Sequence, residues 1–170
     1  MSASGFAIGI GSNLGDRAGQ IDRGLELLAG TPGVRWCRSG PRILTEPVLP
    51  EGIAGEHPIY LNTVAIGRTT LGPRALLARL LAIETSMGRR RRGGCDPRTL
   101  DLDLLVLEGV RIVESGIEVP HPRLDGRRFV LDPLEALLSA CRKDAEGEVR
   151  ETAERLSSAV FPFDRGSVAD

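Results

Sequence analysis

Asp101 and Asp103 stand two apart in Pro97-Arg98-Thr99-Leu100-Asp101-Leu102-Asp103-Leu104-Leu105-Val106-Leu107, a run that otherwise reads as a buried strand. Side chains on a strand alternate between faces, so the two carboxylates share one face and Leu100, Leu102 and Leu104 take the other. Two neighbouring carboxylates repel and are costly to desolvate unless a cation compensates them. Hard oxygen ligands facing a cleft suit Mg²⁺, with phosphate oxygens completing its shell. A bare D-x-D fits a half-exposed strand with an acidic outer face equally well. Its surroundings decide for the metal.

Those surroundings are basic. Arg89-Arg90-Arg91-Arg92 feeds into the acidic strand through a Gly-rich segment, and Arg98 precedes Asp101. Pro120-His121-Pro122-Arg123 holds a histidine between two prolines, with Arg127 and Arg128 close behind. Guanidinium groups beside a metal-binding pair are what polyphosphate transfer needs, the metal screening charge and the arginines clamping oxygens. The Gly9-Ile10-Gly11-Ser12-Asn13-Leu14-Gly15 segment fails as a dinucleotide fingerprint, because Leu14 stands where a third glycine is required. These glycines are expected to turn a strand tightly into a helix.

The elements that must position these residues follow from periodicity. A strand is expected over 6–10, then a helix with Asp16 as N-cap and Gly30 as its stop. Residues 34–45 read as a strand interrupted near Gly40-Pro41, and 60–69 as another. Gly72-Pro73 opens a helix running to Gly88. After the D-x-D strand, which is expected to include Arg98, come a turn at Glu108-Gly109 and a short strand at 111–113. Asp132-Pro133 is expected to cap a helix to about Cys141, with a last short helix over 151–158. The order β-α-β-β-α-β is that of an α+β, ferredoxin-like split fold with a mainly antiparallel sheet. Loops 46–58 and 89–97 exceed simple connections and are expected to cover a site.

With 170 residues and no linker, the whole chain 1–170 is expected to be one domain. A net charge of −1 argues against a dedicated nucleic-acid or membrane-surface binder. Cys37, Cys95 and Cys141 show no metal-ligand spacing and no complete disulfide framework. There is no signal-peptide pattern and no apolar run approaching a membrane span, so a cytoplasmic setting is expected.

G-S-N-L-G-D near the N-terminus, Y-L-N in the middle, R-T-L-D-L-D and then V-P-H-P-R together resemble the 6-hydroxymethyl-7,8-dihydropterin pyrophosphokinase family. The resemblance runs from about Ala7 to Leu138. It implies transfer of pyrophosphate from ATP to the hydroxymethyl group of the pterin, releasing AMP, in folate biosynthesis. It further implies that Asp101 and Asp103 bind two Mg²⁺ ions bridging the phosphates, with Asp103 or a neighbour helping to polarise the attacking hydroxyl. Arg98 and His121 would hold the triphosphate, with Arg89 and Arg91 closing over it and Leu104 and Arg127 near the nucleotide. The pterin would meet Thr45, Pro47, Tyr60, Asn62 and Phe129. A flat heterocycle wants an aromatic face, and an amide supplies the donor and acceptor its edge demands. Glu84 matches a family helix residue and is expected to be structural.

The chain departs from the family pattern at Cys95, where some members carry a tryptophan, and at Pro122, where others carry an aromatic residue. Partners are expected to be the two small-molecule substrates alone, without nucleic acid or membrane, bound by a monomer. A D-x-D nucleotidyl- or glycosyltransferase would also use two carboxylates, but would not need Y-L-N or P-H-P-R. A small RNA-binding α+β domain would show exposed aromatic residues on its strands and a basic balance, neither of which is evident here.

Overall fold

The computed structural model describes residues 2–47, 51, 58–89 and 98–161. Arg91, Cys95 and most of the two long loops therefore lie outside the described residues.

Apolar residues on both faces make β1 (Ser4–Ser12) the buried central strand. The α1 helix (Arg17–Ala29) follows, its first turn capped by the Asp16 carboxylate, which accepts from the Gly19 amide at 3.0 Å. The interrupted strand resolves into β2 (Val34–Ser39) and β3 (Ile43–Thr45), both pairing with β4 (Tyr60–Thr69). The break is knitted to β4 by the Gly40 amide on the Val64 carbonyl and by the Thr63 hydroxyl on the Gly40 and Pro41 carbonyls. Pro73 opens α2 (Pro73–Ser86), as its fixed φ and missing N–H favour. Then come β5 (Asp101–Leu107), the hairpin β6 (Ile112–Glu114) and β7 (Ile117–Val119), and helices α3 (Arg128–Asp144) and α4 (Gly147–Val160).

The sheet order β2-β4-β1-β5, antiparallel at every step, is the split order expected of this α+β class. One face carries Ile8, Ile10, Leu102 and Leu104 against α1 and α2. The other carries Ala7, Val64, Ile66 and Leu105 against α3 and α4. Side chains as fully buried as Phe6, Leu80 and Leu105 each contribute roughly 1.5–3 kcal/mol relative to exposure. No helix among the described residues is long and apolar enough to cross a membrane.

Four expectations need correction. Gly9 and Gly11 lie inside β1, and the turn belongs to Gly15, whose φ is +57°. Arg98 stands ahead of β5, because contacts with Asn13 hold its backbone away from the sheet ladder. Asp132-Pro133 lies within α3, which starts at Arg128. Pro133 can return no bond to the Phe129 carbonyl, but it is buried within α3, and packing overrides the local signal. Finally, β7 was too short to register in the sequence, and α4 extends beyond 151–158 at both ends.

The close approach of strands leaves one glycine without latitude. A Cβ on Gly67 would collide with the Trp36 carbonyl and come within 2.6 Å of the Phe6 ring, whereas on Gly9 the nearest atom is 3.7 Å away. Gly67→Ala is expected to lower unfolding free energy by more than about 2 kcal/mol, and Gly9→Ala to change it by about 0.5 kcal/mol or less. Urea unfolding of the two variants checks the contrast.

Candidate active site

Strand register builds the site. Across the sheet, Asn62 of β4 pairs with Gly11 of β1, and Gly11 pairs with Asp101 of β5. One step along, Val64 pairs with Gly9 and Gly9 with Asp103. Directly paired residues point to the same face. Both carboxylates and the Asn62 amide therefore share a face, separated by two positions that carry no side chain.

Arginines compensate the aspartates. Arg89 donates to Asp101 Oδ1 at 2.7 Å, and Arg98 to Asp101 Oδ2 at 3.0 Å. Arg127 donates to Asp103 Oδ2 at 3.0 Å. Burial works against the charge of Arg98, but Asp101, Tyr60 and Asp103 together outweigh it and push the guanidinium above its ordinary value. Behind Arg89 lies Glu84 of α2, which is 2% exposed. Its carboxylate pairs with Arg89 and accepts from the Leu102 amide at 2.7 Å, tying helix, loop start and acidic strand together. Burial pushes the Glu84 carboxyl up, against the lowering effect of the Leu102 amide and of Arg89.

A cavity of about 500 Å³ runs along the free edge of β5, bounded by α2, the β6–β7 hairpin and His121. Arg89, Arg98, Asp101, Asp103, Leu104 and Arg127 all reach it. The His121 ring accepts at Nδ1 from the Arg123 amide at 3.1 Å, which places the proton of the neutral ring on Nε2. Burial lowers its pKa, with Arg127 and Arg123 adding to the effect and Asp103 opposing it. Neutral imidazole with an Nε2–H donor is the form this environment favours.

The other expected group gathers beside β3. Thr45 pairs with Tyr60, and the Asn62 amide donates to the Thr45 hydroxyl at 2.5 Å. Pro47 follows two residues later, half-buried. Phe129 opens the first turn of α3, with the Arg127 guanidinium 5.9 Å from its ring centroid, so the same arginine touches both Phe129 and Asp103.

Two contributions were missed in the sequence. Asn13 accepts from the Arg98 amide at 2.6 Å and donates its own amide to the Arg98 carbonyl at 3.2 Å. Its only signal was its place in G-S-N-L-G-D, where the glycines drew attention instead. Glu84 holds Arg89 and the Leu102 amide from α2, and its direct hold on Arg89 left no trace in spacing.

The donor set suits magnesium. Two carboxylates two apart on one face leave most of a hard cation's shell to phosphate and water, as Mg²⁺ prefers. Among the described residues no group of three or more His, Cys, Asp or Glu could hold a metal without such help. Fold and site thus define an α+β protein whose centre sets two carboxylates against three arginines at one edge of an antiparallel sheet.

The family model described as 7,8-dihydro-6-hydroxymethylpterin-pyrophosphokinase matches residues 7–139. The chain belongs to that family and is an ATP-dependent pyrophosphokinase. It is 35% identical over 154 residues to the 2-amino-4-hydroxy-6-hydroxymethyldihydropteridine pyrophosphokinase of Pseudomonas aeruginosa, covering 91% of each chain. With the protein of the same name from Methylorubrum extorquens it shares 35% identity over 127 residues, 75% of this chain and 78% of that one. It is also 38% identical over 133 residues to the mitochondrial folate synthesis bifunctional protein of Arabidopsis thaliana, matching 78% of this chain but 23% of the longer protein.

Glu84 offers a test of the electrostatics. Its carboxyl is raised above the ordinary value of 4.5, so the folded chain holds that proton more tightly than the unfolded one. The associated stability is complete below 4.5 and is lost as pH rises through the raised value. Relative to Glu84→Gln, which cannot titrate there, the wild type should therefore become less stable as pH rises above 4.5. Urea unfolding across that range reads the difference. A gap that instead grew in favour of the wild type would mean the Arg89 charge governs Glu84.

Proposed function

We propose that the chain transfers pyrophosphate from ATP to the hydroxymethyl group of 6-hydroxymethyl-7,8-dihydropterin, with release of AMP, in folate biosynthesis. The observation that carries this reading is the face shared by Asn62, Asp101 and Asp103 across Gly9 and Gly11, with three arginines on the two carboxylates. A heterocycle held at one end of that face can present its hydroxyl to a polyphosphate held at the other. The names of the relatives agree with it.

Asp101 and Asp103 would hold two magnesium ions, which supply charge screening and polarisation of phosphate oxygens. Arg89, Arg98 and Arg127 are the groups that would turn from carboxylate to phosphate, replacing one set of oxygens by another of matching geometry. His121 would donate Nε2–H to the triphosphate, and Leu104 would line the nucleotide end of the cavity. The pterin ring would lie between Tyr60 and Phe129, with Asn62, Thr45 and Pro47 at its edge. The hydroxyl oxygen forms a bond to the β-phosphorus and loses its proton. The bond from that phosphorus to the oxygen bridging it to the α-phosphate breaks, and AMP leaves with the bridging oxygen. No covalent enzyme intermediate is required. Acceleration comes from positioning and charge neutralisation. Arg91, outside the described residues, would assist Arg89. The same reading makes the chain a single-domain monomer working on small molecules in the cytoplasm, without nucleic acid.

AMP formation from ATP should depend on both the pterin and Mg²⁺, and should vanish in Asp103→Ala with the fold intact by circular dichroism. ADP formation, or AMP formed without pterin, would overturn the reading. Arg89→Ala should lower kcat by on the order of a hundredfold while changing ATP affinity by only about threefold, since its clamp acts on charge developed during transfer. Equal losses in turnover and binding would make Arg89 a ground-state clamp.

A further inference from the structure

Asn13 lies outside the charge network, yet it touches both halves of the site. It is 4% exposed and directly follows Ser12, the last residue of β1. Toward the aspartates, its Oδ1 accepts from the Arg98 amide at 2.6 Å and its backbone amide donates to the Arg98 carbonyl at 3.2 Å. The Arg98 guanidinium meanwhile reaches Asp101. Toward β4, Asn13 Nδ2 donates to the Pro58 carbonyl at 3.4 Å, two residues before Tyr60. Arg17 Nη1 reinforces that side with a 2.7 Å bond to the Ile59 carbonyl. The amide must face this way, because Arg98 offers a donor and Pro58 an acceptor.

We propose that Asn13 is a positioning residue that sets the phosphate-side Arg98 and the pterin-side start of β4 at a fixed distance from each other. The inference rests on the function proposed above and adds a residue that contacts neither substrate. A side chain with one donor and one acceptor end suits this task. A serine is too short to span both carbonyl and amide, and a carboxylate has no donor for Pro58. Arg98 precedes β5, and Asn13 holds both its backbone amide and its backbone carbonyl there. Without the tie, each half of the site can still form, but the two are no longer held in register for transfer.

Steady-state kinetics of Asn13→Ala and Asn13→Asp, corrected for folded fraction by thermal melting, test this. Asn13→Ala should lose both ties, with kcat falling on the order of tenfold to a hundredfold, as slight misplacement does. Asn13→Asp keeps an acceptor for the Arg98 amide and loses the donor to Pro58. It should hold KM for ATP within about twofold of wild type while KM for the pterin rises about tenfold. Wild-type kcat and KM values per folded molecule in both variants would overturn the assignment, as would an ATP defect in Asn13→Asp as large as in Asn13→Ala. A wild type that makes no pterin-dependent AMP would instead sink the functional reading itself, and the Asn13 inference with it.

Discussion

Repulsion between Asp101 and Asp103 is the constraint from which the rest of the site follows. Two carboxylates one pleat apart are separated by about 7 Å, and at an effective dielectric near 20 they oppose each other by roughly 2–3 kcal/mol. Arginine contacts at 2.7 and 3.0 Å outweigh that by about twofold, because Coulomb energy falls with distance. Arg89, Arg98 and Arg127 come from three separate stretches of chain, so holding the pair apart draws the α2 end, the start of β5 and the α3 start to one place. Glu84 then balances Arg89 from inside α2. On the proposed reading, the charge pattern that stabilises the folded chain is the one a polyphosphate with its cations would meet.

The scaffold is packed on both faces of the sheet, and the aspartates occupy one end of one of them. Beneath the aspartates, Ile10, Leu102 and Leu104 pack against α1 and α2, so a slip of one residue in β5 would bury both carboxylates. Register is thereby specified from both sides, since Leu105, on the aspartates' face, is buried in the core formed with α3 and α4. Only the end of that face where Asp101 and Asp103 stay partly exposed is left to chemistry. Among the described residues, cavity and aspartates meet at the edge of β5, the terminal strand of the sheet, where no further strand competes for the space.

Much of this was legible in the sequence, and the exceptions share a cause. The D-x-D face, the interrupted strand at Gly40-Pro41 and the α2 start at Gly72-Pro73 depend on local periodicity or local backbone chemistry. Arg98 defeated the same reasoning because its backbone is held by Asn13, 85 residues away in sequence. Pro133 did so because its burial within α3 outweighs a helix-start signal. Gly9 and Gly11 were seen, but as turn formers. Their effect as missing side chains appears only when β4 and β5 are set on either side of β1.

That pair of glycines gives the enzyme a gauge. Asn62 and Asp101 stand on strands two spacings apart, about 10 Å, and this interval is set by backbone hydrogen bonds that no side-chain substitution alters. On the proposed reading, the span from a ring edge gripped at Asn62 to a reacting oxygen near Asp101 must equal that interval. Selectivity for substrate length then resides in the pitch of the sheet. A pterin with a longer or shorter arm would be gripped as firmly and still arrive out of reach.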